Sequence, residues 1–213
     1  MPSKHENTAI RRAQIMEAAG RIIIRRGSEH LTVKGMAHEV GLSEAAVYRH
    51  FKRKKDVLLF LTDCVRDRLL SDYDSAALTA GDSLAALQAG LANHVAGIAR
   101  RGGISFQIIA EIISLGDKEL NARAFSVIEQ YITRLEGLLA GAVSRGQLRP
   151  DLDTHASAVA ISALLQGMVN TWVLSSYTLD LKQEFTAAWQ ALLTGLETGA
   201  DYPKRMGKEK SCA

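Results

Sequence analysis

The chain is predicted to be all-α, and three observations lead there. Apolar residues recur at helical spacing through nearly its whole length, no stretch alternates convincingly with a period of two, and only three prolines occur. Pro2 and Pro203 stand near the ends and Pro150 in an interhelical loop. At 213 residues the chain can bury a real core in one domain or two small ones.

The first helix is expected from Asn7 or Thr8, with an inner stripe of Ile15, Ala18, Ala19 and Ile22, and a stop at Gly27 after Arg25 and Arg26. Thr32 then stands where an N-cap belongs, ahead of a helix from Val33 to Val40. Gly41 supplies the permissive backbone for a sharp turn. Ser43 caps a third helix, Glu44 to His50, with Glu44 near its positive end. Met36, Ala37, Val40, Leu42, Val47 and Phe51 point inward and hold the pair, which leaves Ala45, Ala46, Tyr48, Arg49 and His50 outside. A small-sided second helix with an aromatic and basic end suits the DNA major groove.

A fourth helix, about Lys54 to Ser75, has no breaker and can carry movement as a rod. The fifth runs from the cap Asp82 to Arg101 and closes on Gly102-Gly103. The sixth, Ile104 to Leu115, is apolar nearly all round and is expected to be buried. Asp117 caps a seventh helix to Arg145, Asp153 an eighth ending near Ser176, and the ninth spans Leu181 to Thr198. The implied division is a helix-turn-helix head at 1–53, a helical body at 54–200 and a basic, disordered tail at 201–213.

Charge is uneven. Residues 1–60 hold 12 Lys/Arg and 6 Asp/Glu, whereas residues 61–200 hold 10 and 15. A basic head on an acidic body points a polyanion at one end of the molecule. Cys64 and Cys212 fit neither a metal site nor a disulfide framework, which suits a reducing cytoplasm. No run is expected to approach the ~20 apolar residues of a membrane span, and MPSKHENT lacks a secretory core. A Glu-x-x-His pair, an HExxH run, a phosphate-cradling Gly loop and a persuasive Ser/His/Asp set are all missing, which argues against an enzyme and against a cofactor or metal.

Gly27, Thr32, Met36-Ala37, Gly41-Leu42-Ser43, Val47-Tyr48-Arg49-His50-Phe51 and Arg53-Lys54 together resemble the N-terminal domain of the TetR family of bacterial transcription regulators. The resemblance covers roughly residues 8 to 60. Departures from the family pattern are Ile23 for a usual Phe, Leu31 for a first Thr, Gly35 for a common acidic residue and Arg53 for Ser or Asn. The resemblance implies that Thr32, Tyr48, His50 and Lys54 touch the DNA backbone. Lys54 opens a helix, so its backbone N–H and its ammonium can meet one phosphate. Lys34, Val33 and Ser43 complete the candidate contact set at the helix starts. Base reading falls to Glu44, Ala45, Ala46 and Arg49, with Arg49 suited to guanine and an Ala methyl to thymine.

The resemblance further implies a homodimer on palindromic operator DNA, paired through the eighth and ninth helices. Candidate interface residues are Leu164, Gly167, Met168, Thr171, Phe185, Trp189, Leu192 and Leu196, although such stripes also suit an ordinary core. A small apolar or aromatic effector is expected among Leu61, Cys64, His94, Ile98, Phe106, Ile109, Phe125, Tyr131, Asn170 and Trp172. No positive cluster is apparent that would favour a strongly anionic ligand. Release from DNA would follow when the effector changes the head spacing from one helical turn, roughly 34–36 Å. The alternative is a DNA-binding member of this fold controlled by a protein partner.

Overall fold

The computed structural model describes residues 4–27, 30–79 and 81–196, and among these the regular elements are nine helices. The basic tail, Cys212 and the expected helix end at Thr198 lie outside the described residues. α1 (Lys4–Arg26), α2 (Val33–Val40) and α3 (Glu44–Tyr48) form the head, with α1 beginning slightly ahead of the expected Asn7 or Thr8. The body comprises α4 (Lys54–Thr79), α5 (Ser83–Arg100), α6 (Ile104–Leu115), α7 (Lys118–Ser144), α8 (Thr154–Leu174) and α9 (Leu181–Leu196).

Helix starts follow the expected caps. Asp82 accepts from the Ala85 N–H at 2.8 Å, Asp117 from Leu120 at 3.1 Å and Asp153 from Ala156 at 2.9 Å. The α8–α9 bend is less obvious from sequence, because Ser176 and Tyr177 take left-handed backbone at φ 54° and 65° without glycine. The Tyr177 ring meets Trp172 edge-on, 4.8 Å between centroids, and helps hold that bend.

Two cores are present. One joins Ile15, Met36, Val47 and Phe51 of the head with Val57, Leu58 and Leu61 of α4, Ile108 and Ile112 of α6 and Leu120 of α7. The head's packing therefore continues past residue 53 into α6 and α7. The second fills the body with Leu87, Leu91, Leu135, Leu139, Ile161, Leu165 and the α9 stripe Phe185, Trp189, Leu193 and Leu196. α4 packs on α5, α6 and α7, so the rod leaving the head is clasped by most of the body.

Three expectations are corrected by this packing. α6 buries only Ile108 and Ile112, while Ile113 is 69% and Leu115 48% exposed, because one side of the helix has no neighbour among the described residues. Phe185, Trp189 and Leu196 point into the protomer's own core, so they are core residues and not an exposed interface stripe. α8 is long and apolar enough to cross a membrane by length and composition, against the expectation that no segment would be. Only 28% of its most apolar window is buried.

Candidate nucleic-acid interface and effector cavity

The recognition unit is built by local chemistry. The Thr32 hydroxyl accepts from the Gly35 N–H at 2.9 Å and the Ser43 hydroxyl from Ala46 at 3.2 Å, fixing where α2 and α3 begin. Gly41 sits at φ 69°, where a side chain would be strained, and the following Leu42 N–H reaches back to the Ala37 carbonyl at 2.9 Å. Buried Met36, Ala37 and Val47 lock the pair on α1. The outward side is left to Glu44, Ala45, Tyr48 and Arg49, with Ala46 and His50 half-buried. Lys34, Lys52 and Arg53 are exposed nearby, so cations flank a helix with small residues at its start.

Two candidate contacts sit differently from expectation. Val33 is buried in the head core, so only its backbone at the start of α2 remains to face a duplex. The Lys54 ammonium is 2.5 Å from Glu111 on α6, and the Lys55 ammonium bridges Asp117 and Glu119 of the α6–α7 junction at 2.8 Å each. The Lys55 hydrogen bond holds Asp117 below the usual carboxylate range, aided by the Leu120 N–H, and Asp117 and Glu119 raise Lys55. Asp56 is a group that sequence reading missed. Its carboxylate accepts from the Lys52 and Arg53 backbone N–H groups at 2.9 and 3.0 Å, an acid reaching back at the start of α4. The signal was an acid near the helix start, three residues after Arg53.

The body contains an inner cavity lined by His94, Phe106, Ile109 and Tyr131 together with Val65, Leu69, Val127 and Gln166. At its wall Tyr73 and Tyr131 share a hydrogen bond at 3.0 Å, and His94 lies 6.3 and 5.7 Å from their ring centroids. Burial raises the Tyr131 phenol above its ordinary range, with the Tyr73 hydrogen bond acting the other way, so the Tyr131 hydroxyl stays protonated. Gly90 lets α5 lie directly against the Tyr73 ring, since any Cβ there would overlap it.

Other residues expected at the effector site lie elsewhere. Leu61 and Cys64 line a neighbouring cavity of about 230 Å³ at the head–body junction, which shares Val65 with the first. Ile98 is core, 1% exposed, and Trp172 borders a groove between α8 and α9. Phe125 is 61% exposed and Asn170 is exposed, and neither lines either cavity. The corrections share one cause: helical spacing gives the face of a helix but not which neighbour covers it.

A capped helix-turn-helix with an exposed basic rim, carried on a helical body with an apolar cavity, defines a DNA-binding regulator. Residues 15–60 match the model of bacterial regulatory proteins of the tetR family, and residues 114–197 match the C-terminal region of MAATS-type transcriptional repressors. The chain belongs to the TetR family of transcriptional regulators, which are not enzymes. It is 24% identical over 188 residues to the fatty acid metabolism regulator protein of Bacillus subtilis strain 168, covering 86% of this chain and 94% of that one. Identity to the nucleoid occlusion factor SlmA of Marinomonas sp. strain MWYL1 is 23% over 187 residues, covering 87% and 94%. The structure of the fatty acid degradation regulator FadR from Bacillus halodurans superposes with a TM-score of 0.76 at 25% identity, over 87% of this chain and 99% of that one.

Proposed function

We propose that the protein is a cytoplasmic repressor that binds a palindromic operator as a homodimer and is released by an effector with a large apolar part. The single observation that carries the ligand-controlled reading is the apolar inner cavity, walled by α4, the rod that leaves the head. Val65 and Leu69 of α4 line it, so a ligand that fills the cavity bears on the same helix whose start shares the head's core. A structure of FadR from Bacillus subtilis in complex with stearoyl-CoA supports a ligand with a long apolar chain.

Dimerisation is supported by α8. Val159 and Leu174 are 40% and 85% exposed, and Ala156, Ala160, Ala163 and Gly167 share the uncovered side. Ala163 and Gly167, with Leu164, Met168 and Thr171, border a groove against α9 that suits the same face of a second copy. On α9, Leu192 is half-buried, whereas the other α9 candidates turn inward.

On DNA, Thr32, Lys34, Ser43, Tyr48 and His50 would meet phosphates while Glu44, Ala45, Ala46 and Arg49 face base edges. Lys54 has a double role: its ammonium exchanges between a phosphate and Glu111 of α6, which couples the head to the body. Selection of bound duplexes from a random pool tests the reading. A motif with two-fold symmetry and half-sites about one helical turn apart is the expected product. Recovery of no motif would contradict it.

A further inference from the structure

The junction cavity carries a feature absent from the inner one. Three guanidinium-bearing residues from three different helices or their ends, Arg21 of α1, Arg68 of α4 and Arg101 after α5, line it against a single carboxylate residue, Glu17. They are 33 to 80 residues apart in sequence, which is why no positive cluster was visible there. The rest of the lining is largely apolar, with Ile104, Ile108 and Val65, and Val65 continues into the inner cavity. The Arg101 guanidinium lies against Gly97, in space that any side chain there would take. Arg21 donates through Nε to Glu39 of α2 at 2.8 Å, and that hydrogen bond holds the Glu39 carboxyl below its usual range. One arginine thus belongs both to the cavity wall and to a bridge inside the helix-turn-helix head.

We propose that this junction cavity is an anion subsite. The carboxylate or phosphate of an amphipathic effector is held by Arg21, Arg68 and Arg101, while its apolar part passes Val65 into the inner cavity. Guanidinium groups suit both anions because each presents paired donors in a planar fork. An anion there competes with Glu39 for Arg21 and so loosens α1 from α2 at the base of the DNA-reading unit. Linkage then requires that DNA binding and anion binding oppose each other. This inference rests on the inner cavity being the effector site.

The test uses the full chain with decanoate, decyl phosphate and 1-decanol below their micelle concentrations, reading binding by calorimetry and release of a labelled, selected operator by anisotropy. Both anions are expected to bind about tenfold or more tightly than the alcohol, as loss of a charge-assisted hydrogen bond would predict. Their ratio separates a carboxylate ligand from a phosphate one. Arg68→Ala, at an exposed position, should erase that preference without changing decanol binding, and Arg68→Lys should restore part of it. Glu39→Gln should raise anion affinity and lower operator affinity together, which loss of structure alone would not do. Equal binding of anion and alcohol, or no effect of Arg68→Ala, would overturn the subsite while leaving an apolar effector in place. Failure of all three compounds to bind or to shift operator affinity would remove both the subsite and the effector reading beneath it.

Discussion

The head and the outward side of α8 are both surfaces left uncovered by the described residues, yet they are built on opposite principles. The head presents Lys34, Arg49, Lys52 and Arg53 around small residues, each element anchored by a hydroxyl cap or a glycine turn. α8 presents Val159, Ala160, Ala163, Gly167 and Leu174 with almost no charge. A polar, directional surface suits a ligand whose pattern must be read, whereas an apolar one suits a partner of fixed shape. On the proposed dimer, specificity would come from two surfaces acting together: one would read a half-site, and the other would decide how many half-sites are read.

The largest effects should separate α8 from α9. Ala163→Glu places a charge on the uncovered face of α8 and is expected to give a folded monomer. Operator affinity should then fall by about a thousandfold or more, toward that for random duplex. Trp189→Ala removes a buried ring from the body core and should cost roughly 3–5 kcal/mol of protomer stability, measured by denaturant melts. If Ala163→Glu stayed dimeric in sedimentation, the α8 face would have to be reassigned.

Within the body, Gly90→Ala drives a methyl into the Tyr73 ring and should cost about 1–3 kcal/mol, because that ring is fully buried and has nowhere to move. The same change should disturb the Tyr73–Tyr131 hydrogen bond and with it the cavity wall, so effector affinity should fall more than operator affinity. Equal losses would mean that the cavity is not where the effector sits.

Two substitutions sharpen the head. Arg49→Ala should cost about 1–3 kcal/mol at one base pair of the operator and little on random DNA. Lys54→Ala should weaken both kinds of duplex and lower the slope of affinity against salt. A Lys54→Ala protein with unchanged salt dependence would show that Glu111 never releases the ammonium. Thr32→Ala removes the α2 cap and should cost about 1 kcal/mol of stability, visible in melts without DNA.

The smallest effect is expected from pH. Asp117 is held below its ordinary value, so its bridge to Lys55 contributes above pH ~4 and is lost as acid titrates the carboxylate. Lys55 is raised, so its share persists until pH exceeds the ordinary lysine value of ~10.4. The melting difference between wild type and Lys55→Met should therefore be flat from about pH 5 to 10 and close below about pH 3. A difference that persisted in acid would place the effect of Lys55 elsewhere.

The head could be read from sequence almost completely, because Thr32, Gly41 and Ser43 act on neighbours a few residues away and leave a local signature. The helices of the body were readable for the same reason, through Asp82, Asp117 and Asp153. What covers each helix was not. Trp189 and Leu192 lie three residues apart on α9, yet one is buried and the other half-exposed. Phe125 and Tyr131 share α7, yet only Tyr131 reaches the cavity. The same limit hid Lys54–Glu111 and the meeting of Arg21, Arg68 and Arg101, since pairs separated by tens of residues carry no periodic trace.

In the proposed function, two heads joined through α8 read one symmetric site. Native mass spectrometry of the full chain on its selected duplex measures that directly. An even number of chains per duplex, with Ala163→Glu abolishing the complex, is the expected result. A single chain bound at full affinity, or an Ala163→Glu complex indistinguishable from wild type, would contradict it.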